Sequence, residues 1–291
     1  MVSKHIGLIG IGNMGTPMAT RLVAAGHTVS GFDLSADARG RLAEVGGTPV
    51  ESVTDMAGAD VIILMLPNSK VVEAVLTEQG LLGVLDSSTT IVDMSSSEPL
   101  KTQELSELAA KQGITLIDAP VSGGVSGAKA GTLSVMVGGT DEQVASVRDV
   151  LEVFGKVTHT GKVGSGHAVK ALNNLLSAVS LLATSEAMYA GIDFGVDPKV
   201  MLEVINKSSG RSGSTDNKWP NFILTETFNS GFGAGLMLKD MKIATDLTRQ
   251  LGRPTLLGSD AFTYWEKAVS ELPAGADHTE IARWLAEQAT E

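Results

Sequence analysis

The chain has 291 residues, 43% of them hydrophobic, and a formal charge of −11. That length buries a sizeable core and fits two domains, while the acidic balance, with no Lys/Arg-rich patch, argues against nucleic acid as a partner. Cysteine is absent, which removes disulfides, thiolate catalysis and cysteine-ligated zinc together and fits a reducing cytoplasm.

The first element is an apolar, β-branched run from Ile6 to Ile9, read as a buried parallel strand. Gly10, Gly12 and Gly15 follow as G-x-G-x-x-G, where this strand should turn into a helix from Asn13 to Ala25. Gly10 permits the tight turn, Gly12 lets the backbone approach a pyrophosphate, and Gly15 allows close helix packing. The helix N-terminus then offers N–H groups and its positive dipole end to phosphate, so Asn13 and Met14 join the glycines as cofactor-binding candidates. Gly26 ends the helix, Thr28 to Phe32 reads as a second strand, and Asp33 stands at its end. A carboxylate there can bond an adenosine ribose and would repel a 2′-phosphate, and no arginine follows at once, which favours NAD over NADP. Alone, Asp33 reads equally as a turn-initiating aspartate.

Strand and helix signals then alternate. Strands are expected at Val61 to Leu66, Ile91 to Met94, Thr115 to Ile117, Leu133 to Val137 and Val157 to His159, with helical spacing between them. This predicts an α/β fold, a Rossmann-type doubly wound parallel sheet. From Ser165 the pattern turns helical, and Val196 to Asn206, Leu236 to Leu251, Ser259 to Ser270 and Thr279 to Ala289 follow suit. The expected division is a dinucleotide-binding domain over 1–163 and an all-helical domain over 164–291, with a long helix as bridge. Ser208 to Gly235 reads as a long Ser/Gly/Asn-rich loop. No secretory leader is expected, and Ala171 to Ala190, interrupted by Asn173, Asn174 and Glu186, reads as a buried helix rather than a membrane span.

Ligands of an open α/β sheet sit beyond the carboxyl ends of its strands. Pro67-Asn68, Ser95-Ser96-Ser97 and Asp118 to Gly124 occupy such places. Ser122 with Gly123-Gly124 fits either a carboxylate-binding nest or a glycine-rich surface loop. On the bridging helix, Lys170 shares a face with Asn173 and Asn174 at i+3 and i+4. Most lysines near a helix start are solvated, but this one lies in an Ala/Leu-rich helix, where burial would draw its pKa toward the range of a general acid or base. The scattered histidines give no metal site, and neither tyrosine has a lysine four residues later, which removes the Tyr-x-x-x-Lys arrangement of short-chain dehydrogenases.

The segments GLIGIGNMGTPMA, DAPVSGG with GAKAGTL, GSGHAVKALNN and LMLKDM stand in order from Gly7 to Met241. With them the chain, over residues 4 to 290, resembles the β-hydroxyacid dehydrogenase family, the 3-hydroxyisobutyrate dehydrogenases and tartronate semialdehyde reductases above all. The resemblance implies Lys170 as catalytic acid/base and Ser122, Gly123, Gly124 and Asn174 as substrate-binding residues. It implies cofactor contacts at Leu66, Pro67 and Ser96, Lys239 at the nicotinamide end, NAD as cofactor, and a homodimer or homotetramer. The expected activity is NAD-dependent interconversion of a short β-hydroxyacid and its semialdehyde. Tartronate semialdehyde, sulfolactaldehyde and 4-hydroxybutyrate-type reductases are alternatives within the family. Outside it stand an imine reductase, against which Lys170 argues, and a silent nucleotide-sensing module.

Overall fold

The computed structural model describes residues 2–288; Met1 and 289–291, the outer ends of the two expected domains, lie outside the described residues, as does Ala289 of the last expected helix. The first unit alternates strand and helix: β1 (His5–Ile9), α1 (Gly15–Ala24), β2 (Thr28–Phe32), α2 (Ala36–Glu44), β3 (Thr48–Pro49), β4 (Val61–Leu64), α3 (Ser69–Leu76), β5 (Thr90–Asp93), α4 (Pro99–Ala110) and β6 (Thr115–Asp118). It continues with β7 (Val121–Ser122), α5 (Gly124–Ala130), β8 (Leu133–Gly138), α6 (Asp141–Leu151) and β9 (Gly155–Gly161).

The strand order is β3-β2-β1-β4-β5-β6-β8-β7, with β9 on β8. All pairs among β1 to β6 are parallel, whereas β8 runs antiparallel to β6 and β7. Successive side chains of a strand face opposite sides, and the core divides accordingly. Ile63, Val92 and Ile117 pack with Met18 and Leu22 of α1 and Val144 and Val147 of α6. Ile62, Leu64, Ile91 and Leu116 pack with Val72 and Val75 of α3 and Leu105 of α4. Apolar burial on both faces explains why these strands are continuous hydrophobic runs and makes the sheet doubly wound.

The remaining helices are α7 (Ser165–Asp193), α8 (Pro198–Asn206), α9 (Ala234–Gln250), α10 (Leu256–Glu271) and α11 (Ile281–Glu287). The chain divides into two compact units between Lys170 and Ala171. The division falls inside α7 rather than at the expected 163, because the first turn of that helix is tied to β5 and β6, as described below. In the second unit Trp219, Trp265 and Trp284 are all buried in one cluster with Leu181, Met188 and Met241.

Two expectations are corrected here. Ser214–Ile223, placed in a loop, is a wide π-helix with Pro220 inside it; Trp219 and Ile223, one turn apart, anchor it in the core. Trp219 lies edge-on to Tyr189, ring centroids 5.4 Å apart, and its Nε1–H donates to Ser185 Oγ at 3.3 Å. α7, expected to be buried, has a mean hydropathy of 1.4 and passes the length and composition of a membrane span, with 33% of its most apolar stretch buried. Asn173, Asn174 and Glu186 are too few to prevent this, and Val169, Leu172 and Leu176 are exposed.

Candidate active site

The turn after β1 shows three separate uses of glycine. Gly10 has φ +96°, and a Cβ there would lie 2.2 Å from the Met65 carbonyl oxygen at the end of β4. A Cβ on Gly15 would lie 2.0 Å from the Gly10 carbonyl oxygen, so Gly15 lets α1 start directly against the turn. At Gly12 a Cβ would meet nothing within 4 Å. The backbone there faces open space, no side-chain cap closes the N-terminus of α1, and both features fit the pyrophosphate of a dinucleotide. Asn13 is exposed and Met14 half-buried in the same turn.

Asp33 follows β2 and is bound to this turn. Its Oδ2 accepts the Ile11 N–H and its Oδ1 the Ser35 N–H, both at 2.8 Å. Each oxygen keeps a further lone pair for a ribose hydroxyl. Arg39, six residues on, donates from Nη1 to the Asp33 carbonyl at 2.7 Å and from Nη2 to Glu51 at 3.2 Å. The sequence reading, which looked only at the residues directly after Asp33, missed this guanidinium because the first turn of α2 brings it back.

Beyond β4 and β5, the Leu66 N–H donates to Ser95 Oγ at 2.9 Å. Asp93, the last residue of β5, accepts the Ser95 N–H at 3.0 Å and the Ser97 hydroxyl at 2.8 Å. Ser96 is thereby carried between two anchored serines, and Leu66 and Pro67 stand beside them on the neighbouring strand end. Asp118, the last residue of β6, is the register partner of Asp93. Its two oxygens accept the N–H groups of Gly164 at 2.6 Å and His167 at 2.8 Å, which caps α7 as a carboxylate caps a helix N-terminus. The buried His167 ring lies 3.9 Å from each carboxylate. Its Nε2–H donates to the Ser95 carbonyl at 3.1 Å, and Nδ1 shares a proton with Thr102 Oγ1 at 2.8 Å. Burial raises the Asp118 pKa; His167 and the two amides oppose that shift, and Asp93 adds to it.

Val121-Ser122 forms β7, paired with β8, and the chain then leaves the sheet edge through Gly123 at φ +129° and Gly124 at φ +61°. Both angles strain any other residue. The Ser122 side chain is half-buried, so the loop is a fixed turn between strand and α5.

Lys170 is buried, 7% exposed, one turn after the His167 anchor. Asn174 follows one turn later on the same helix, 6% exposed. Its Nδ2 donates to Asp240 Oδ2 at 2.6 Å, and its Oδ1 accepts from Asn173 at 3.2 Å. Asp240 is itself buried in α9 and pairs with Lys239, whose Nζ lies 3.2 Å from Oδ1. Two residues implied by resemblance, Asn174 and Lys239, thus converge on one carboxylate. Arg211 is exposed and paired with Asp216 at 2.8 Å.

Residues 5–164 match the family model of the NAD-binding domain of 6-phosphogluconate dehydrogenase, and residues 164–285 that described as NAD-binding of NADP-dependent 3-hydroxyisobutyrate dehydrogenase. The mitochondrial 3-hydroxyisobutyrate dehydrogenase of Bos taurus is 37% identical over 100% of this chain and 89% of its own length. The chain belongs to the β-hydroxyacid dehydrogenase family. The 2-(hydroxymethyl)glutarate dehydrogenase of Eubacterium barkeri is 40% identical over 85% of this chain and 83% of its own. A 3-hydroxyisobutyrate dehydrogenase of Mycobacterium tuberculosis, solved with L-serine, superposes with a TM-score of 0.93 at 34% identity, covering 98% of this chain and 99% of that one. This member of the β-hydroxyacid dehydrogenases is therefore an NAD(P)-dependent oxidoreductase.

What sequence reasoning missed in this dehydrogenase is what holds the site residues: Asp93 and Asp240 themselves, and the anchoring roles of Ser95 and His167. A signal existed for Asp93. β5 and β6 both end their apolar runs in aspartate, an unusual residue for a buried strand end.

Proposed function

We propose that the chain interconverts a short β-hydroxyacid and its semialdehyde, in the manner of a 3-hydroxyisobutyrate dehydrogenase. The observation that carries this reading is a buried Lys170 one turn from an Asn174 fixed by Asp240. In oxidation, neutral Lys170 Nζ accepts the proton of the substrate hydroxyl; in reduction its ammonium returns that proton to the nascent alkoxide. The second hydrogen of Asn174 Nδ2 points the reacting oxygen toward Lys170. Ser122 and the amides of Gly123 and Gly124 take the substrate carboxylate. A bound nicotinamide would supply the hydride chemistry at the carbon bearing the oxygen. Gly10, Gly12, Asn13, Met14 and Gly15 would hold its pyrophosphate, Asp33 its ribose, and Leu66, Pro67, Ser96 and Lys239 the rest.

The acidic chain works on a small molecule, in the cytoplasm, without nucleic acid or membrane. It works as a homo-oligomer, a reading supported by the exposed Val169, Leu172 and Leu176 on α7, an apolar stripe suited to a second copy. The test is turnover with NAD or NADH on 3-hydroxyisobutyrate, glycerate, 4-hydroxybutyrate, sulfolactaldehyde and simple alcohols. Activity on the β-hydroxyacids alone is the expected result, and equal activity on neutral alcohols would overturn the assignment.

A further inference from the structure

The turn of α7 that carries Lys170 belongs to the first unit and is held there from several sides. A Cβ on Gly166 would lie 2.2 Å from the Met136 carbonyl oxygen, and one on Gly164 would lie 2.7 Å from that of Pro99. The turn therefore rests directly on β8 and on the start of α4. Gln103 Nε2 donates to the Val163 carbonyl at 3.0 Å, and Asp118 accepts the Gly164 and His167 N–H groups. These contacts fix the backbone of the turn.

The His167 ring reaches further. It is 1% exposed, and a buried polar ring is tolerated only where its nitrogens find partners. Its two partners lead to different places. Nδ1 meets Thr102 Oγ1 at 2.8 Å, inside α4, whereas Nε2–H donates to the Ser95 carbonyl at 3.1 Å. Ser95 opens the turn that carries Ser96. Asp93 holds both ends of that turn, through the Ser95 N–H and the Ser97 hydroxyl, and Ser95 Oγ accepts the Leu66 N–H at 2.9 Å. Leu66, Pro67 and Ser96, assigned above to the cofactor, thus stand on one hydrogen-bonded frame. His167 and Lys170 are three residues apart on α7, neighbours on one helical face. A single imidazole therefore joins the turn of Lys170 to that frame.

We propose that His167 is a positioning residue: through Nε2–H to the Ser95 carbonyl it ties the Lys170 turn to the Ser95–Ser97 turn, so that binding of the cofactor settles the place of the general acid/base. The proposal rests on the reading of Lys170 as that group. A misplaced proton acceptor costs rate and leaves substrate binding largely intact.

The test separates the two ring nitrogens. A glutamine amide can take the place of Nε2 and keep the donor to Ser95, an asparagine amide can take only that of Nδ1, and Thr102→Val removes the other contact. Amide hydrogen exchange of residues 165–170 is read with and without saturating NADH, which needs no catalysis. NADH should slow it at least about threefold in wild type, His167→Gln and Thr102→Val, and not in His167→Asn. On the active hydroxyacid, kcat should stay within about threefold of wild type in His167→Gln and Thr102→Val and fall at least about tenfold in His167→Asn, with KM and the NADH dissociation constant little changed. A merely structural ring would instead lower the urea midpoint and kcat together, with no rescue by glutamine. No slowing in wild type, an equal loss of kcat in His167→Gln and His167→Asn, or unchanged kcat in His167→Asn overturns the proposal. Where His167→Asn does not fold, loss of the slowing in His167→Gln or Thr102→Val overturns it, and its retention in both supports it. Slowing in the expected order without turnover of any hydroxyacid by wild type supports the link and counts against the dehydrogenase reading.

Discussion

The Asp118 carboxylate accepts the backbone N–H of His167 at 2.8 Å while lying 3.9 Å from Nδ1 of the same residue. One carboxylate thus caps α7 and faces the imidazole that α7 sets against the ends of β5 and β6. Since Gly164 N–H takes the other oxygen, both acceptors are in use. Asp118→Asn would present an NH2 donor to one of these amides, leaving a buried N–H unpaired. The expected cost is about 2–4 kcal/mol, measured as a lower urea midpoint at unchanged slope. A midpoint equal to wild type would show that the cap is dispensable.

Asp33→Ser should shift the ratio of kcat/KM toward NADP, because the repelling carboxylate goes and the Arg39 guanidinium beside it remains. Asp33 also accepts the Ile11 N–H, so affinity for both cofactors should fall. In Asp33→Ser with Arg39→Ala the gain for NADP should disappear. The ratio measured in the three proteins decides whether Arg39 or the loss of charge alone is responsible.

Asp240→Ala should lower kcat by about ten- to a hundredfold, since Asn174 loses the acceptor that orients it and Lys239 its ion pair. Asp240 acts here as a positioning residue. KM for NAD should change little if its effect passes through Asn174, and a rise in that KM alone would place it on the Lys239 side.

Acid stability should carry the signature of His278. Burial, with Lys218 adding repulsion and Asp277 opposing both, lowers its pKa from 6.5 to about 4 in the folded chain. Above pH 6.5 both states are neutral and this contribution is complete. As pH falls toward about 4 only the unfolded state takes up the proton, and stability drops by up to about 3 kcal/mol. His278→Asn cannot titrate, so its stability should fall less across this window. Parallel pH profiles for the two proteins would contradict the assignment.

How far the sequence revealed the molecule depended on which interactions are local. The glycine turn, Asp33 and the parallel strands could be read because spacing and apolar runs encode them directly. Lys170 and Asn174 share a helical face by spacing alone. The partners of these residues come from distant segments: Asp118 and His167 are 49 residues apart, Asn174 and Asp240 66. No window of sequence contains both. Trp219 and Ile223 failed as a helix signal because Pro220, Gly213 and the flanking serines carry the composition of a loop.

The central claim is that Lys170 moves the substrate proton, and it is tested by turnover in Lys170→Ala beside NADH affinity in the same protein. The account predicts that kcat on the active hydroxyacid falls by at least about two orders of magnitude, while the NADH dissociation constant stays within a few-fold of wild type. Turnover near the wild-type value in a folded, NADH-binding Lys170→Ala would contradict it.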